Sequence, residues 1–151
     1  MNDTTQLAKQ RLEELIAFFG ANVEASADET DDGIELSIES SSVSPRLIGH
    51  RGETLRAIEF LVNQMVKHED GEAPRILVDI AGYKQARREA LIQTAKEVAE
   101  RVKQTGTEEE LKPMNPADRR IVHMTLREID GVDTESRGYD RDRRIVVKPA
   151  A

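Results

Sequence analysis

The chain has 151 residues, no cysteine and a formal net charge of -7 at pH 7. This length suits one modest core or two small ones, and the lack of cysteine excludes disulfides and thiolate chemistry and fits a reducing compartment. No apolar stretch approaches the length that a bilayer requires and the N-terminus shows no leader pattern, so we expect a cytoplasmic protein that does not bind membranes.

The charge is distributed unevenly between the two halves of the chain. Residues 1–82 contain 7 Lys or Arg against 16 Asp or Glu, whereas residues 83–151 contain 15 against 13. We therefore expect an anionic partner to meet the second half over a broad surface and the first half only at a focused spot. In the first half that spot would comprise Arg46, His50, Arg51 and Arg56.

The first half begins with a predicted helix and a predicted hairpin. Apolar residues at helical spacing predict a helix that Asp3 or Thr4 caps and Gly20 ends. Alternating apolar residues at 23–27 and 34–38, separated by an Asp-Asp-Gly turn, then predict two antiparallel strands.

A short helix, a glycine-flanked turn, a long helix and a strand follow. Ser44 before Pro45 predicts an N-cap and first helical residue, and Gly49 ends this short helix. A longer amphipathic helix is predicted after Gly52, and residues 75–80 predict a buried strand.

The sequence Gly49-His50-Arg51-Gly52 lies at the corner between the two helices. Glycines remove side chains at both ends of the corner, so backbone N–H groups at the start of the second helix are accessible to a phosphate. His50 and Arg51 add hydrogen-bonding and cationic side chains. The alternative is that the two glycines only allow close helix packing.

With this order of elements, residues 5–82 resemble a type II KH domain, and the segment "LIGHRGETLRAIEFLVN" carries the resemblance. The resemblance implies that the Gly-x-x-Gly loop clamps the backbone of about four single-stranded nucleotides beside an apolar groove. Gly49, His50, Arg51 and Gly52 would form the clamp, and Ile48 and Leu55 would border the groove. His50 stands where a lysine is common in the family.

The second half predicts a core helix, a short strand, a second helix and a hairpin. A narrow apolar seam indicates the core helix, formed by Ala90, Leu91, Thr94, Ala95, Val98 and Val102. Asn115-Pro116 starts the second helix. Residues 134–149 predict the hairpin, with Arg144, Val146 and Lys148 on one face.

Arg119 and His123 are four residues apart, so their side chains lie side by side on one helix face, with Arg127 one turn further. Alone, this spacing is typical of an ordinary solvated surface. Together with "KPMNP" and the basic hairpin, it resembles the R-three-H domain over most of residues 83–149. That resemblance implies phosphate or base contacts by the following residues: Arg119, His123, Arg127, Arg137, Arg143, Arg144 and Lys148.

A type II KH domain (1–82) followed by an R-three-H domain (83–151) resembles the Jag family of bacterial RNA-binding proteins, also called KhpB, without the N-terminal Jag domain. The expected fold is α+β, with a three-stranded sheet covered by helices on one face in the first domain and a three-stranded sheet with two helices in the second. The resemblance implies binding of single-stranded RNA or DNA, no enzymatic activity, and links to a second KH-domain protein, the ribosome, small RNAs, or cell shape and division.

Two alternatives stay open. The acidic first half could serve as a docking surface of a protein-protein adapter, and an RNA-processing enzyme is a more distant possibility. The three histidines lie in separate contexts, so no metal site or cofactor is predicted. Aromatic residues make up 3% of the chain, which argues against an aromatic stacking platform and leaves Tyr83 and Tyr139 as the stacking candidates.

Overall fold

The computed structural model describes residues 2–151 and divides the chain into two compact units, the first ending at Lys84 and the second beginning at Gln85. Each unit combines helices with a three-stranded sheet, which confirms the predicted fold class. The division falls after Lys84 rather than after Gly82, because Tyr83 and Lys84 both contact the first unit. Within the described residues, no helix has the length and apolar character needed to cross a membrane.

The first unit has the predicted order of elements. It contains α1 (Asp3–Ala17), β1 (Ser26–Thr30), β2 (Gly33–Ile38), α2 (Ser44–Ile48), α3 (Glu53–Glu69) and β3 (Ile76–Ile80). The sheet order is β1-β2-β3, with β1 antiparallel to β2 and β2 parallel to β3. A parallel pair requires a crossover connection, and here α2 and α3 supply it.

The core of the first unit lies between the sheet and its helices. Alternate residues of β2 and β3 are buried, so the helices cover one face of the sheet, as predicted. The largest fully buried side chains of this core are Leu12, Ile16, Ile34, Leu36, Leu47, Leu55, Ile76, Ile80, Val62 and Val66.

Three local predictions differ from the structure. Asn2, not Asp3 or Thr4, caps α1, because its backbone is extended and its Oδ1 accepts a hydrogen bond from the Thr5 N–H at 2.7 Å. Ser44 is the first residue of α2 rather than its cap, and its hydroxyl accepts a hydrogen bond from the Ser41 N–H. Strand β1 starts only at Ser26, so most of the apolar residues that predicted it precede it.

The second unit is built on one long and one shorter helix. It contains most of α4 (Tyr83–Thr105), followed by β4 (Glu109–Glu110), α5 (Pro116–Arg127), β5 (Val132–Arg137) and β6 (Arg144–Pro149). The sheet order is β4-β6-β5, and both pairs are antiparallel. On α4 the buried seam uses Ala99, whereas the predicted Ala90 and Thr94 are exposed.

The two faces of this second sheet differ in character. Ile145 and Val147 of β6 join the core formed with α4 and α5. Val146 points to the opposite face, which we call the outer face, together with Arg144 and Lys148 as predicted. Although it lies outside that core, Val146 is 0% exposed, because charged side chains of all three strands surround it.

Candidate nucleic-acid interface

The Gly-x-x-Gly loop forms a strained corner between α2 and α3. Gly49 has φ 72° and ψ -174°, a conformation that is essentially restricted to glycine. A Cβ atom at Gly49 would lie 2.2 Å from the Thr54 hydroxyl oxygen. Arg51 at φ 53° and Gly52 at φ 76° lie in the left-handed helical region. Three of the four loop residues therefore have positive φ.

Both loop glycines also permit close packing. A Cβ atom at Gly52 would lie 2.7 Å from the ring of Tyr83, just as one at Gly49 would meet Thr54. The packing role that the sequence left as an alternative is therefore real at both positions. The side chains of Thr54 and Tyr83 therefore pack directly against the loop backbone.

The cations predicted for this spot occupy different settings. His50 is exposed and Arg51 is half-buried, and both belong to the loop itself. Arg56 donates to the Arg51 carbonyl oxygen at 3.0 Å and so braces the loop. Arg46 instead donates to the Phe19 carbonyl oxygen at the end of α1. Among the described residues, no side chain caps the first turn of α3.

The two apolar residues predicted to border a groove are not equivalent. Leu55 is 2% exposed and belongs to the core, so it offers almost no surface to a ligand. Ile48 is half-buried at the end of α2, directly before Gly49. An apolar border beside the loop would therefore depend on Ile48.

Helix α5 is held firmly at its N-terminus. The Asn115 Oδ1 accepts from the Asp118 N–H at 2.9 Å, as the Asn-Pro pattern predicts, and its Nδ2 donates to the Asp118 carboxylate. Asp118 is 7% exposed and also pairs with Arg87 of α4 at 3.2 Å. This partly buried ion pair fixes the turn from which Arg119 projects.

Arg119 and His123 lie together on α5, as their spacing predicts, and a hydrogen-bonding contact orients each of them. The Arg119 guanidinium donates to the Met114 carbonyl oxygen at 2.6 Å. The His123 Nδ1 lies 2.7 Å from the Thr134 hydroxyl oxygen of β5. Their positions on the surface are therefore defined by the fold.

Two further arginines of α5 extend this cationic surface. Arg120 and Arg127 are exposed, and neither pairs with another residue in the part of the chain that the structure describes. Open depressions lie on both sides of His123, one next to Arg119 and Arg120 and the other next to Arg127. We call Arg119, Arg120, His123 and Arg127 the α5 face. Arg120 was not among the predicted contact residues, although it lies three residues before His123 and so shares its side of the helix.

The predicted hairpin cations lie elsewhere. Thr134, which contacts His123, alternates along β5 with Glu135, so Glu135 and Arg137 point to the outer face. Arg137 binds both carboxylate oxygens of Glu108, at 3.0 and 3.3 Å, and donates to Glu135 at 2.8 Å.

The remaining cations of the outer face are also paired. Arg144 binds Glu110 at 2.8 Å, and Lys148 pairs with Glu135. We call these six residues the outer-face network: Glu108, Glu110, Glu135, Arg137, Arg144 and Lys148. Hydrogen bonds from Arg137 and Lys148 lower the pKa of Glu135 to about 2, and the hydrogen bond from Arg137 also lowers the pKa of Glu108.

Arg143 and Tyr139 lie in the segment that connects β5 and β6. Arg143 is half-buried and its guanidinium donates to the Gly138 carbonyl oxygen at 2.9 Å, which closes the turn. Tyr139 is 86% exposed. The seven predicted contact residues of the second unit thus form three groups, on the α5 face, in the outer-face network and at this turn.

Comparison with known proteins agrees with this picture. Residues 89–149 match the family model of the R-three-H domain. The chain is 37% identical over 101 residues to RNA-binding protein KhpB of Clostridium symbiosum, an alignment that covers 67% of this chain and 46% of that protein. It is 29% identical over 147 residues to RNA-binding protein KhpB of Bacillus subtilis (strain 168), covering 96% of this chain and 70% of the relative.

A third relative gives a similar result. RNA-binding protein KhpB of Streptococcus pneumoniae serotype 2 is 29% identical over 122 residues, which cover 81% of this chain and 37% of that protein. The chain thus spans between about a third and two thirds of the length of these relatives. The second unit contains an R-three-H domain, and the chain is similar to the KhpB proteins along nearly its full length.

Proposed function

We propose that this chain binds single-stranded RNA in the cytoplasm and is not an enzyme. The observation that carries the proposal is the α5 face, where the match to the R-three-H domain coincides with Arg119 and His123 held side by side by hydrogen bonds. The names of the KhpB relatives support RNA as the nucleic acid.

In this proposal residues 1–82 are a type II KH domain. The element order, the parallel pairing of β2 with β3 and the left-handed Gly-x-x-Gly loop support it. The loop would contact the sugar-phosphate backbone through its own backbone and through His50 and Arg51, with Ile48 beside the bases. Residues 83–151 would add phosphate contacts from the α5 face.

We assign the phosphate contacts of the second unit mainly to the α5 face. A cation that already binds a carboxylate must lose that partner before it binds a phosphate, so it gains less on binding. Arg137, Arg144 and Lys148 are in this position, whereas Arg120 and Arg127 have no such partner among the described residues. Arg137, Arg144 and Lys148 would make secondary contacts with phosphate.

The test is a filter-binding or mobility assay with unstructured RNA and matched single-stranded DNA at low salt. We expect RNA to be retained, and the variant His50→Asp with Arg51→Asp to lose at least about tenfold in affinity because its carboxylates repel phosphate. Asp tolerates the left-handed conformation of Arg51, so circular dichroism should be unchanged.

The matched control places the same charge change away from the loop, with Lys67→Asp and His68→Asp at two exposed positions in the last turn of α3. If the control lost as much affinity as the loop variant, the loop assignment would be wrong. If the intact chain bound no RNA at low salt, the charge of -9 on residues 1–82 would favour the adapter function. Cleavage of labelled RNA, with or without a divalent metal, would contradict the assignment as a non-enzyme.

A further inference from the structure

We propose that Tyr83 is a positioning residue for the Gly-x-x-Gly loop, and that its ring holds the loop in the conformation that receives the RNA backbone. This inference rests on the proposed function of the loop. Tyr83 stood in the sequence as a stacking candidate, and the structure gives its ring a different neighbour.

The contact is direct and close. The hydroxyl end of the Tyr83 ring lies under Gly52, so that a Cβ atom there would come within 2.7 Å of one ring carbon and 3.3 Å of the hydroxyl oxygen. Tyr83 is half-buried and packs against the core of the first unit. The ring therefore fills the space under the last residue of the loop.

The fold fixes the backbone on both sides of Tyr83. Ala81 and Gly82 form a left-handed turn after β3, with φ 55° and 68°. The Asp79 carboxylate accepts hydrogen bonds from the N–H groups of Ile80 at 2.9 Å and Lys84 at 3.2 Å, on either side of the turn. Tyr83 thus starts α4 in a defined position.

The same junction is tied to α3, the helix that the loop starts. The Lys84 ammonium donates to the Glu59 carboxylate at 2.5 Å, and that carboxylate also accepts from the Val78 N–H at 2.8 Å. Glu59 lies on α3, so the start of α4, strand β3 and helix α3 form one connected frame. These bonds fix the start of α4, and with it the backbone of Tyr83, relative to α3.

The loop needs such support because its backbone is unfavourable. A non-glycine residue in the left-handed region, such as Arg51, is unfavourable, and such residues persist where the surroundings determine them. The hydrogen bond that spans the loop, from the Gly52 N–H to the Gly49 carbonyl oxygen, is long at 3.4 Å. Tyr83 supplies support from outside the segment that contains α2, the loop and α3.

The experiment compares Tyr83→Ala, Tyr83→Leu and Tyr83→Phe in the full chain, with Phe18→Ala as the control for loss of an exposed aromatic side chain. We expect the Ala and Leu variants to lose about tenfold in RNA affinity, which corresponds to about 1.4 kcal/mol of binding free energy. The Phe variant should bind normally because it keeps the ring. Normal binding by folded Ala or Leu variants would overturn the proposal.

Two further measurements separate this role from general destabilisation and from failure of the proposed function. Amide resonances of residues 49–53 in the RNA-free protein should shift or broaden in Tyr83→Ala, while those of β2 should not change. Unchanged resonances of the loop would contradict the proposal whether or not RNA binds. In the His50→Asp, Arg51→Asp background, Tyr83→Ala should cost no further affinity. A full additional tenfold loss there would also overturn the proposal.

Discussion

The two groups of cations in the second unit have similar side chains and very different availability. On the α5 face, Arg120 and Arg127 extend into solvent with no ionic partner among the described residues. In the outer-face network, Arg137 and Arg144 each bind a glutamate through two nitrogen atoms. Counting basic residues therefore overstates the positive charge that an anionic ligand meets, because carboxylates already neutralise part of it.

The difference also has a structural consequence. The outer-face network surrounds Val146, which is 0% exposed on the face of the sheet opposite the core of the second unit. The aliphatic stems of arginine and lysine cover apolar surface while their charged ends pair with glutamates. The network thus buries Val146 on the outer face of the sheet, whereas Arg120 and Arg127 of the α5 face are exposed.

The strongest test of the comparison is the paired removal of arginines. Replacing Arg120 and Arg127 with alanine should weaken RNA binding about tenfold and flatten the slope of log affinity against log salt by about 1.4, since each phosphate contact contributes about 0.7. Replacing Arg137 and Arg144 with alanine removes the same charge and should change the slope by less than half as much. Equal slope changes in salt titrations of the two variants would refute the distinction.

A smaller effect is expected from releasing the paired arginines. Replacing Glu108 and Glu110 with glutamine should leave Arg144 without a carboxylate partner and Arg137 with Glu135 alone, and so tighten RNA binding about threefold, with a steeper salt slope. Glu89→Gln with Glu97→Gln is the matched control, because it removes the same charge from two α4 residues that bond only to glutamines. If both double variants gained equally, net charge alone would account for the change.

The smallest expected effect concerns stability and acid. The folded-state pKa of Glu135 is lowered to about 2 from 4.5, so its pairing stabilises the fold above pH 4.5 and is lost as the pH falls toward 2. Its side chain is 40% exposed, so solvent screening keeps this contribution small. Urea unfolding at several pH values should show a shallower decrease over this window for Glu135→Gln than for the unchanged protein. An identical decrease would mean that the pairing contributes nothing measurable.

The tyrosine variants extend the same reasoning to the first unit. The α5 face is held by contacts within its own unit, from Met114 and Thr134, and the loop is held by Tyr83 in a similar way. Both proposed contact surfaces consist of a few exposed groups whose positions depend on a buried or half-buried neighbour. Substitution of Thr134 or Tyr83, which make these contacts through their side chains, should therefore affect binding without removing any charge.

The sequence by itself determined the order of elements, the place of the loop and the side-by-side placement of Arg119 and His123 on one helix. Helical and alternating periodicity, Asn-Pro and glycine signals act over a few residues, so they can be recognised without the fold. The predicted β3, α5 and hairpin agree with the structure because they depend only on these local signals.

Only the tertiary structure decided which predicted residues are available. Arg137 meets Glu108 across 29 residues and Arg144 meets Glu110 across 34, and no local pattern indicates such pairs. The burial of Leu55, the packing of Tyr83 under Gly52 and the exposure of Arg120 likewise result from how elements pack together. Local spacing determines which side of an element a residue occupies, and long-range packing determines what that side contacts.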